Sequence, residues 1–154
     1  MNVRFQHCEP QRVVYVRHVG PYQECGKAWQ TLMALAGQHG LLAPGALSIG
    51  IGHDNPDVTP PDKLRYDACL TVAGNFQAVE GLALQEIPGG EYAVATLRGP
   101  YAQLPDAYRW IFRDWLPASG RKLRHAPCYE IYVTDPRTTA EADLVTEIYV
   151  PLEG

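Results

Sequence analysis

The sequence predicts an α+β fold, in which two copies of a strand-helix-strand-strand module form one antiparallel sheet with pseudo-twofold symmetry and a central groove. Two observations lead to this prediction. The order of strand and helix patterns in the first half of the chain begins again in the second half, and short motifs recur about 80 residues later. One module alone has too small a core to be stable, so we expect the two copies to pair their strands and share both helices as cover.

The first module begins with a strand and a helix. Residues Arg12 to His18 are β-branched, aromatic or basic and stop at Gly20-Pro21, which is typical of a strand that ends in a turn. From Tyr22 to His39, apolar residues fall at three- and four-residue steps before Gly40. That spacing predicts a helix with one buried face and a glycine stop.

Two more strands complete the module. Leu47 to His53 is a short strand pattern that contains two glycines. The next segment, Asp54 to Asp62, holds three prolines and is predicted to be a loop. A final strand is predicted from Leu64 to Val72, with Asp67 inside it.

We therefore expect a single domain over residues 1–154. Repeat 1 covers about 12–72 and repeat 2 covers about 91–152, each with the same order of elements. The linker at about 73–90 includes an extended piece at 82–87 that runs into a glycine turn.

Recurring motifs support the duplication. Gly20-Pro21-Tyr22 returns as Gly99-Pro100-Tyr101, a shift of 79 (99 − 20). Asp67 returns as Glu147, a shift of 80 (147 − 67). Matches at a constant offset across most of two half-chains predict an internal repeat, with a groove along the axis between the copies as the natural ligand site.

Composition and charge narrow the class of protein. The net charge is −4 and the pI is about 5.7, so no large basic surface exists for phosphates, and we expect no direct nucleic-acid binding. No apolar run is long enough to cross a bilayer and no signal-peptide pattern opens the chain. We therefore expect a cytoplasmic protein that does not enter a membrane.

The cysteines and histidines give no sign of a metal or cofactor site. The four cysteines lack CxxC spacing, which favours reduced structural thiols, and the five histidines never approach HxH or HxxxH spacing. No GxSxG elbow, phosphate loop or dinucleotide fingerprint is present. We expect no metal and no cofactor.

The two copies differ most at one pair of aligned positions. Gly50 and Gly52 align with Glu130 and Tyr132 (130 − 50 and 132 − 52, both 80), and each pair shares one face of its strand. One interpretation is that the glycines leave room in a ligand groove while the second copy supplies an acid and a phenol. The other is that the glycines mark a β-bulge. The sequence leaves both open.

The last predicted strand, Thr146 to Leu152, carries another candidate acid. Glu147 and Tyr149 point to the same face because side chains alternate along a strand. A carboxylate among aromatic rings can receive an organic cation, although an ordinary solvated edge carboxylate has the same pattern. Burial would raise the pKa of this carboxyl and suit it to acid–base catalysis, with a phenol such as Tyr132 orienting the substrate.

The remaining candidates are weaker. Asp67 is the aligned partner of Glu147, but its neighbour Arg65 favours a salt bridge over a ligand role. Trp110 lies off the apolar stripe of the second helix, so it reaches either the groove rim or the surface. The stripe itself is more typical of core than of a ligand site, and it consists of Leu104, Tyr108, Ile111 and Trp115.

Several motifs, in order along nearly the whole chain, resemble the GyrI-like small-molecule-binding domain. They are RHVGPY at residues 17–22, HDNP at 53–56, LRYD at 64–67, IPGGEYAV at 87–94, WLPASG at 115–120, YEIYVTDP at 129–136 and TEIYVPL at 146–152. This domain is also the effector-binding half of many AraC-type and MerR-type multidrug-responsive regulators. Because the first predicted strand begins near Arg12, we expect no helix-turn-helix before it, as in the stand-alone branch of the family.

The resemblance implies a function. In the family, an acid matching Glu147 forms the floor of a groove lined by aromatic rings, and it recognises cationic, aromatic or lipophilic compounds. We therefore expect a protein that captures an amphipathic or cationic drug or toxin. The stand-alone branch adds two alternatives: a hydrolase that opens reactive cyclopropane-bearing genotoxins with the same glutamate, and an inhibitory partner of DNA gyrase.

Overall fold

The computed structural model describes all 154 residues. All of its strands lie in one antiparallel sheet of eight, in the order β1-β6-β8-β7-β3-β4-β2-β5, so the predicted α+β class is confirmed. The elements in chain order are β1 Asn2–Cys8, β2 Gln11–Val19, α1 Gly26–Gln38, β3 Ser48–Gly52, β4 Arg65–Thr71, β5 Ala83–Ile87, β6 Gly90–Arg98, α2 Leu104–Trp110, α3 Leu116–Ser119, β7 Tyr129–Tyr132 and β8 Val145–Pro151.

Two edge strands lie outside the two predicted repeats. The first strand begins at Asn2 rather than near Arg12, and it pairs with β6. The predicted linker contains β5, which pairs with β2. The prediction missed β1 because this edge strand is largely exposed, with polar and charged side chains among its few apolar ones.

Corresponding strands keep the offset of the sequence motifs. β6 begins 79 residues after β2 (90 − 11), and β8 begins 80 residues after β4 (145 − 65). From the sheet edges inward, the strands run β1-β6-β8-β7 in one half and β5-β2-β4-β3 in the other. This correspondence supports the inferred duplication and places β3 beside β7 at the centre.

Both helical segments depart from the prediction in detail. Tyr22–Glu24 forms a 3-10 turn, and α1 starts only at Gly26. In the second half, α2 runs into a π-helical turn at Ile111–Trp115 before α3 begins. Such a turn adds a residue to the helical ladder and displaces the side chains on either side of it relative to a regular helix.

The sheet curls until its two ends meet. Six strand spacings separate β1 from β2, or about 29 Å in a flat sheet. Only Glu9 and Pro10 connect these strands, a reach of at most about 11 Å. The turn between β5 and β6 touches the turn between β1 and β2, since a Cβ at Gly89 would lie 2.7 Å from the carbonyl oxygen of Cys8 and 2.8 Å from Pro10.

Because the sheet curls, its two faces pack against different parts of the protein. The inner face holds an apolar cluster, here called the inner core, to which every strand contributes and no helix does. Its members are Cys8, Val13, Ile49, Ile51, Cys69, Ile87, Tyr92, Val94, Tyr129, Ile131 and Tyr149. The other face, here called the helix face, packs against α1 in one half and against α2 with the following π-helical turn in the other. No helix is long and apolar enough to span a membrane.

Candidate functional site

The central strands bring an acid and a glycine together on the helix face. Glu130 of β7 is the cross-strand partner of Gly50 in β3, and on its other side it faces Ile148 of β8. Ile148 packs in the cluster beneath α2, so Glu130 points to the helix face. Glu130 as a whole residue is partly exposed.

Two phenols hold the Glu130 carboxylate. Tyr108 of α2 donates to Oε2 at 2.7 Å, and Tyr132 of β7 donates to Oε1 at 2.7 Å. No salt bridge involves this carboxylate. Burial raises the pKa of Glu130 above its ordinary value, and the two phenol hydrogen bonds offset only part of that rise.

The hydrogen bonds continue from Tyr132 into the first half of the chain. The Tyr132 hydroxyl lies 2.7 Å from the Tyr66 hydroxyl, which also accepts a bond from the Trp29 indole at 3.1 Å. Burial, followed by the charge of Glu130, raises the pKa values of Tyr66 and Tyr132 well above the ordinary phenol value. Both phenols are therefore neutral proton donors at any physiological pH.

Gly50 is the position that makes room for this network. A Cβ at Gly50 would overlap the hydroxyl oxygens of both Tyr66 and Tyr132. At Gly52 the nearest atoms belong to Tyr22, at 3.4 Å or more, which is ordinary contact. Of the two interpretations left open by the sequence, the structure favours room for polar groups at Gly50, and β3 stays in continuous register with both neighbours.

Partly exposed aromatic rings surround Tyr132. Trp29 of α1 meets it edge-on at 5.5 Å between ring centroids, and Tyr101 of the 3-10 turn before α2 meets it from another side, also at 5.5 Å. Tyr22 packs against Tyr66 at 5.8 Å. We call Tyr22, Trp29, Tyr66, Tyr101, Tyr108 and Tyr132 the aromatic cluster.

Glu147 and Tyr149 lie on the other face of the sheet. Glu147 is paired with Ile131 of the inner core, and its carboxylate forms a 2.8 Å salt bridge with Arg4 of β1. Tyr149 stacks on Tyr129 inside the inner core at 4.7 Å. The two side chains share a face as the strand alternation predicts, but that face is opposite the one that Gly50 and Glu130 share.

Asp67 forms salt bridges with Arg17 and His53, so the predicted salt bridge between Asp67 and Arg65 is wrong. Arg17 donates to both of its oxygens at 2.8 and 3.0 Å, and His53 and Gln85 bond it at 2.7 and 2.9 Å. Arg65 instead pairs with Asp54 at 2.9 Å. Arg65 and Asp67 are two residues apart and share a face of the strand, but Arg65 is the first residue of the strand and lies next to the loop that carries Asp54.

The helical stripe has a double role that its spacing does not show. Ile111, Tyr108 and Trp115 pack in the cluster on the helix face as predicted, yet the Tyr108 hydroxyl also reaches Glu130. Trp110 packs against the same cluster and makes no hydrogen bond to the acid.

Five members of the aromatic cluster are not predicted as ligand contacts by the sequence. These are Tyr22, Trp29, Tyr66, Tyr101 and Tyr108. The repeat alignment carried a usable signal, because Trp29 aligns with Tyr108 and Tyr22 with Tyr101, both at 79 (108 − 29, 101 − 22). Aromatic residues at matching positions of the two half-chains are expected to lie close together where the half-chains pack against each other.

Two cavities lie away from Glu130. One of about 470 Å³ is lined by Arg12, Thr71 and Glu86 among others. The other, about 510 Å³, lies between Tyr15 and Leu82. No group of three or more His, Cys, Asp or Glu side chains is arranged to hold a metal ion.

The sequence model of the GyrI-like small molecule binding domain matches residues 1–153. A DNA gyrase inhibitor of Yersinia enterocolitica is 34% identical over 150 residues, which cover 94% of this chain and 93% of the relative. A DNA gyrase inhibitor of Escherichia coli K12 is 30% identical over 157 residues, which cover 99% of this chain and 98% of the relative.

Solved structures share the fold. The C-terminal domain of EcmrR superimposes with a TM-score of 0.77 at 21% identity, covering 99% of this chain and 97% of that domain. A hydrolase from Listeria innocua gives 0.69 at 14% identity, with 99% and 92% covered. The protein SAV2435 bound to tetraphenylphosphonium gives 0.63 at 18% identity, with 100% and 95% covered.

Proposed function

Because this chain belongs to the GyrI-like small-molecule-binding family, we propose that it captures an amphipathic, aromatic or cationic small molecule on the helix face of its sheet. We propose Glu130, rather than Glu147, as the acid that receives the ligand. One observation carries this choice. The carboxylate of Glu130 is held by neutral phenols alone, whereas Glu147 is already neutralised by Arg4.

The charge on Glu130 is the source of affinity. A carboxylate removed from water is costly unless a positive charge compensates it, and no side chain supplies one here. A ligand cation restores that balance. The partly exposed residues Trp29 and Tyr101 add attraction through the faces of their rings, about 0.5 to 2 kcal/mol for each favourable cation–ring contact.

The comparisons support the same ligand class. A structural neighbour, SAV2435, binds tetraphenylphosphonium, a cation whose charge is surrounded by aryl rings. Such a cation offers no hydrogen-bond donor, so it would pair with the Glu130 carboxylate through its charge alone.

Calorimetric titration with tetraphenylphosphonium tests the proposal. We expect wild-type protein to bind and Glu130→Gln, which keeps the shape but removes the charge, to bind about tenfold or more weakly. Glu147→Gln is the matched control and should bind as wild type does. Loss of binding in Glu147→Gln with retention in Glu130→Gln would reverse the assignment of the acid.

Hydrolysis is a second candidate function, favoured by the environment of Glu130. Burial raises the pKa of the carboxyl, so it holds a proton at higher pH than an exposed glutamate does, and the adjacent phenols can orient a polar substrate. As a base, ionised Glu130 would take a proton from a bound water while that water attacks a strained cyclopropane carbon. The electron pair of the broken ring bond would pass to the electron-withdrawing side of the substrate, which would then take the proton back from Glu130, so that one water is added overall. Mass spectrometry of a cyclopropane-bearing electrophile should show gain of one water, lost in Glu130→Gln. Stoichiometric protection without product would leave capture alone.

Inhibition of DNA gyrase is a third candidate, favoured by the names of relatives that align along nearly the full chain. We expect, on this hypothesis, that the purified protein lowers the supercoiling rate of gyrase in a dose-dependent manner. Unchanged supercoiling together with tetraphenylphosphonium binding would confine the function to the small molecule.

A further inference from the structure

Tyr132 contacts both the Glu130 carboxylate and the aromatic rings beside it. Its hydroxyl donates to Oε1 at 2.7 Å and Tyr108 donates to Oε2, so each oxygen of the acid already accepts a hydrogen bond. The centroid of the Tyr132 ring lies 5.5 Å from the ring centroids of both Trp29 and Tyr101. These two rings come from separate segments, α1 and the turn before α2.

The space above β3 is filled as well. The Tyr66 and Tyr132 hydroxyls lie where the Gly50 side chain would be, and they bond each other at 2.7 Å. The room that the glycine leaves is therefore taken by the protein itself. A ligand that reaches the acid must first displace a side chain, and Tyr132 is the one that touches both the acid and the bordering rings.

A neighbouring hydroxyl lacks a partner while Tyr132 is in place. Thr146 of β8 is the cross-strand partner of Tyr132, so both side chains project from the helix face. Thr146 is fully buried, and its Oγ1 makes no hydrogen bond. An unpaired buried hydroxyl is rare and costly, and movement of Tyr132 would open this one to a ligand or to water.

We propose that Tyr132 is an internal stand-in for the ligand, and that the ligand is an aryl cation that displaces it. This inference rests on the proposed capture function. The side chain presents an aromatic ring to Trp29 and Tyr101 and, next to that ring, a polar group to Glu130. The ligand that replaces both contacts carries an aryl ring with a positive centre one or two bonds away, as in a benzylammonium. Tyr132 is thus a specificity-determining residue, since a ligand must provide both groups to compete with it.

Titration calorimetry with benzyltrimethylammonium tests this directly. Tyr132→Ala removes the competitor, so we expect it to bind this probe about tenfold or more tightly than wild type, equivalent to about 1.4 kcal/mol. Tyr15→Ala, the same truncation at a side chain that packs against the inner core, should leave affinity unchanged. Tetramethylammonium lacks the ring and benzyl alcohol lacks the charge, so both should bind Tyr132→Ala at least about tenfold more weakly than benzyltrimethylammonium does.

A second measurement on the wild-type protein does not depend on whether the variant folds. In nuclear Overhauser spectra, cross-peaks from the Tyr132 ring to Trp29 and Tyr101 should disappear on saturation with benzyltrimethylammonium. Cross-peaks from the ligand ring to the same two side chains should replace them. Persistence of the Tyr132 cross-peaks in the saturated complex would overturn the inference.

The outcomes separate the two proposals. Binding by wild type that is lost in Glu130→Gln but not strengthened in Tyr132→Ala overturns the stand-in role and leaves the capture function standing. Equal binding of tetramethylammonium and benzyltrimethylammonium by Tyr132→Ala overturns the requirement for an aryl ring. Absence of cation binding in wild type and in folded Tyr132→Ala overturns both.

Discussion

Gly50 lies directly opposite Glu130 across the ladder of the two central strands, and the sequence offset of 80 (130 − 50) aligns these same two residues. Two positions that the sequence offset relates thus lie side by side at the centre of the sheet. A side chain there would have to share the space with its partner, so the glycine on one strand is what allows the acid and its phenols on the other.

Substitution of Gly50 tests this arrangement. Gly50→Ala places a methyl group on the Tyr66 and Tyr132 hydroxyls, and we expect it to lower the unfolding free energy by about 1 to 3 kcal/mol, because the hydroxyls must move and break their bonds. Gly52→Ala is the matched control with only ordinary contact to Tyr22, and its effect should stay within about 0.5 kcal/mol. Urea unfolding measures both. Equal effects at the two glycines would mean that Gly50 marks only a flexible strand.

Cation capture should weaken in acid. The folded pKa of Glu130 lies above the ordinary 4.5, so protonation removes the ligand's counter-charge at a higher pH than in an exposed glutamate. We expect tetraphenylphosphonium affinity to fall as the pH drops through this raised pKa, about tenfold per unit below it. Calorimetry at several pH values gives the profile, and Glu130→Gln should show a flat one. A midpoint at or below 4.5 would contradict the assignment.

The raised pKa of Glu130 also determines how this residue changes the unfolding free energy with pH. Since the folded state holds this proton more tightly than the unfolded chain does, the group stabilises the fold when protonated. Its contribution is lost as the pH rises from the ordinary value through the folded pKa. Glu130→Gln should therefore be at least as stable as wild type at neutral pH, as measured by urea unfolding, and a large destabilisation would contradict the cost assigned to the buried charge.

Tyr108 tunes the acid through one hydrogen bond. Its hydroxyl donates to Oε2 and lowers the pKa of Glu130 relative to burial alone. Tyr108→Phe keeps the ring but removes this donor, so the midpoint of the pH profile for cation binding should move to higher pH. Tyr149→Phe, on the inner face, should leave the midpoint in place. A downward shift in Tyr108→Phe would show that this phenol does not stabilise the ionised acid.

The two aligned acids on the inner face should contribute unequally to stability. Asp67 is fully buried among Arg17, His53 and Gln85, so Asp67→Asn should cost about 3 kcal/mol or more. The Arg4–Glu147 bridge retains solvent contact at both ends, and Glu147→Gln should cost no more than about 1 kcal/mol. Thermal unfolding of the two variants measures both costs. Similar losses of stability would contradict the larger contribution that burial assigns to Asp67.

The pH dependence of Asp67 has the opposite sign to that of Glu130. Burial raises its pKa, but hydrogen bonds from His53, Arg17 and Gln85 outweigh that effect and hold it below the ordinary 3.8. The stabilisation is therefore present above about pH 4 and is lost as the pH falls further. The unfolding free energy of wild type should decline in that range more steeply than that of Asp67→Asn.

Much of the fold could be predicted because its pattern is repeated. Strands β2, β6 and β8 are rich in β-branched and aromatic residues, so local composition indicates them, and β4 is recognised by its offset of 80 from β8. The edge strand β1 escaped because exposed edges carry little apolar signal. The π-helical turn has no pattern of its own, since it depends on how the helix meets the sheet.

The site was harder to predict from the sequence than the fold. Strand alternation shows which side chains share a face, but it does not show whether that face is the inner face or the helix face. Glu147 and Tyr149 were correctly placed on one face, and Glu130 and Tyr132 on one face, but no local pattern tells which face the helices cover. The curl of the sheet decides this, and it depends on β1 and β5, which were not predicted as paired strands. The hydroxyl contacts across the repeat, such as Tyr66 with Tyr132, join residues 66 positions apart.

The pairing of β1 with β6 also sets an order of events during synthesis. The strand made first, Asn2–Cys8, has no native neighbour until Gly90–Arg98 has left the ribosome, more than half a chain later. Until then the nascent protein carries an unsatisfied strand and an open inner core, the kind of surface that other chains and chaperones bind. A translational pause before Arg98 has left the ribosome would prolong that vulnerable interval, whereas a pause after it has emerged would find the first strand already paired.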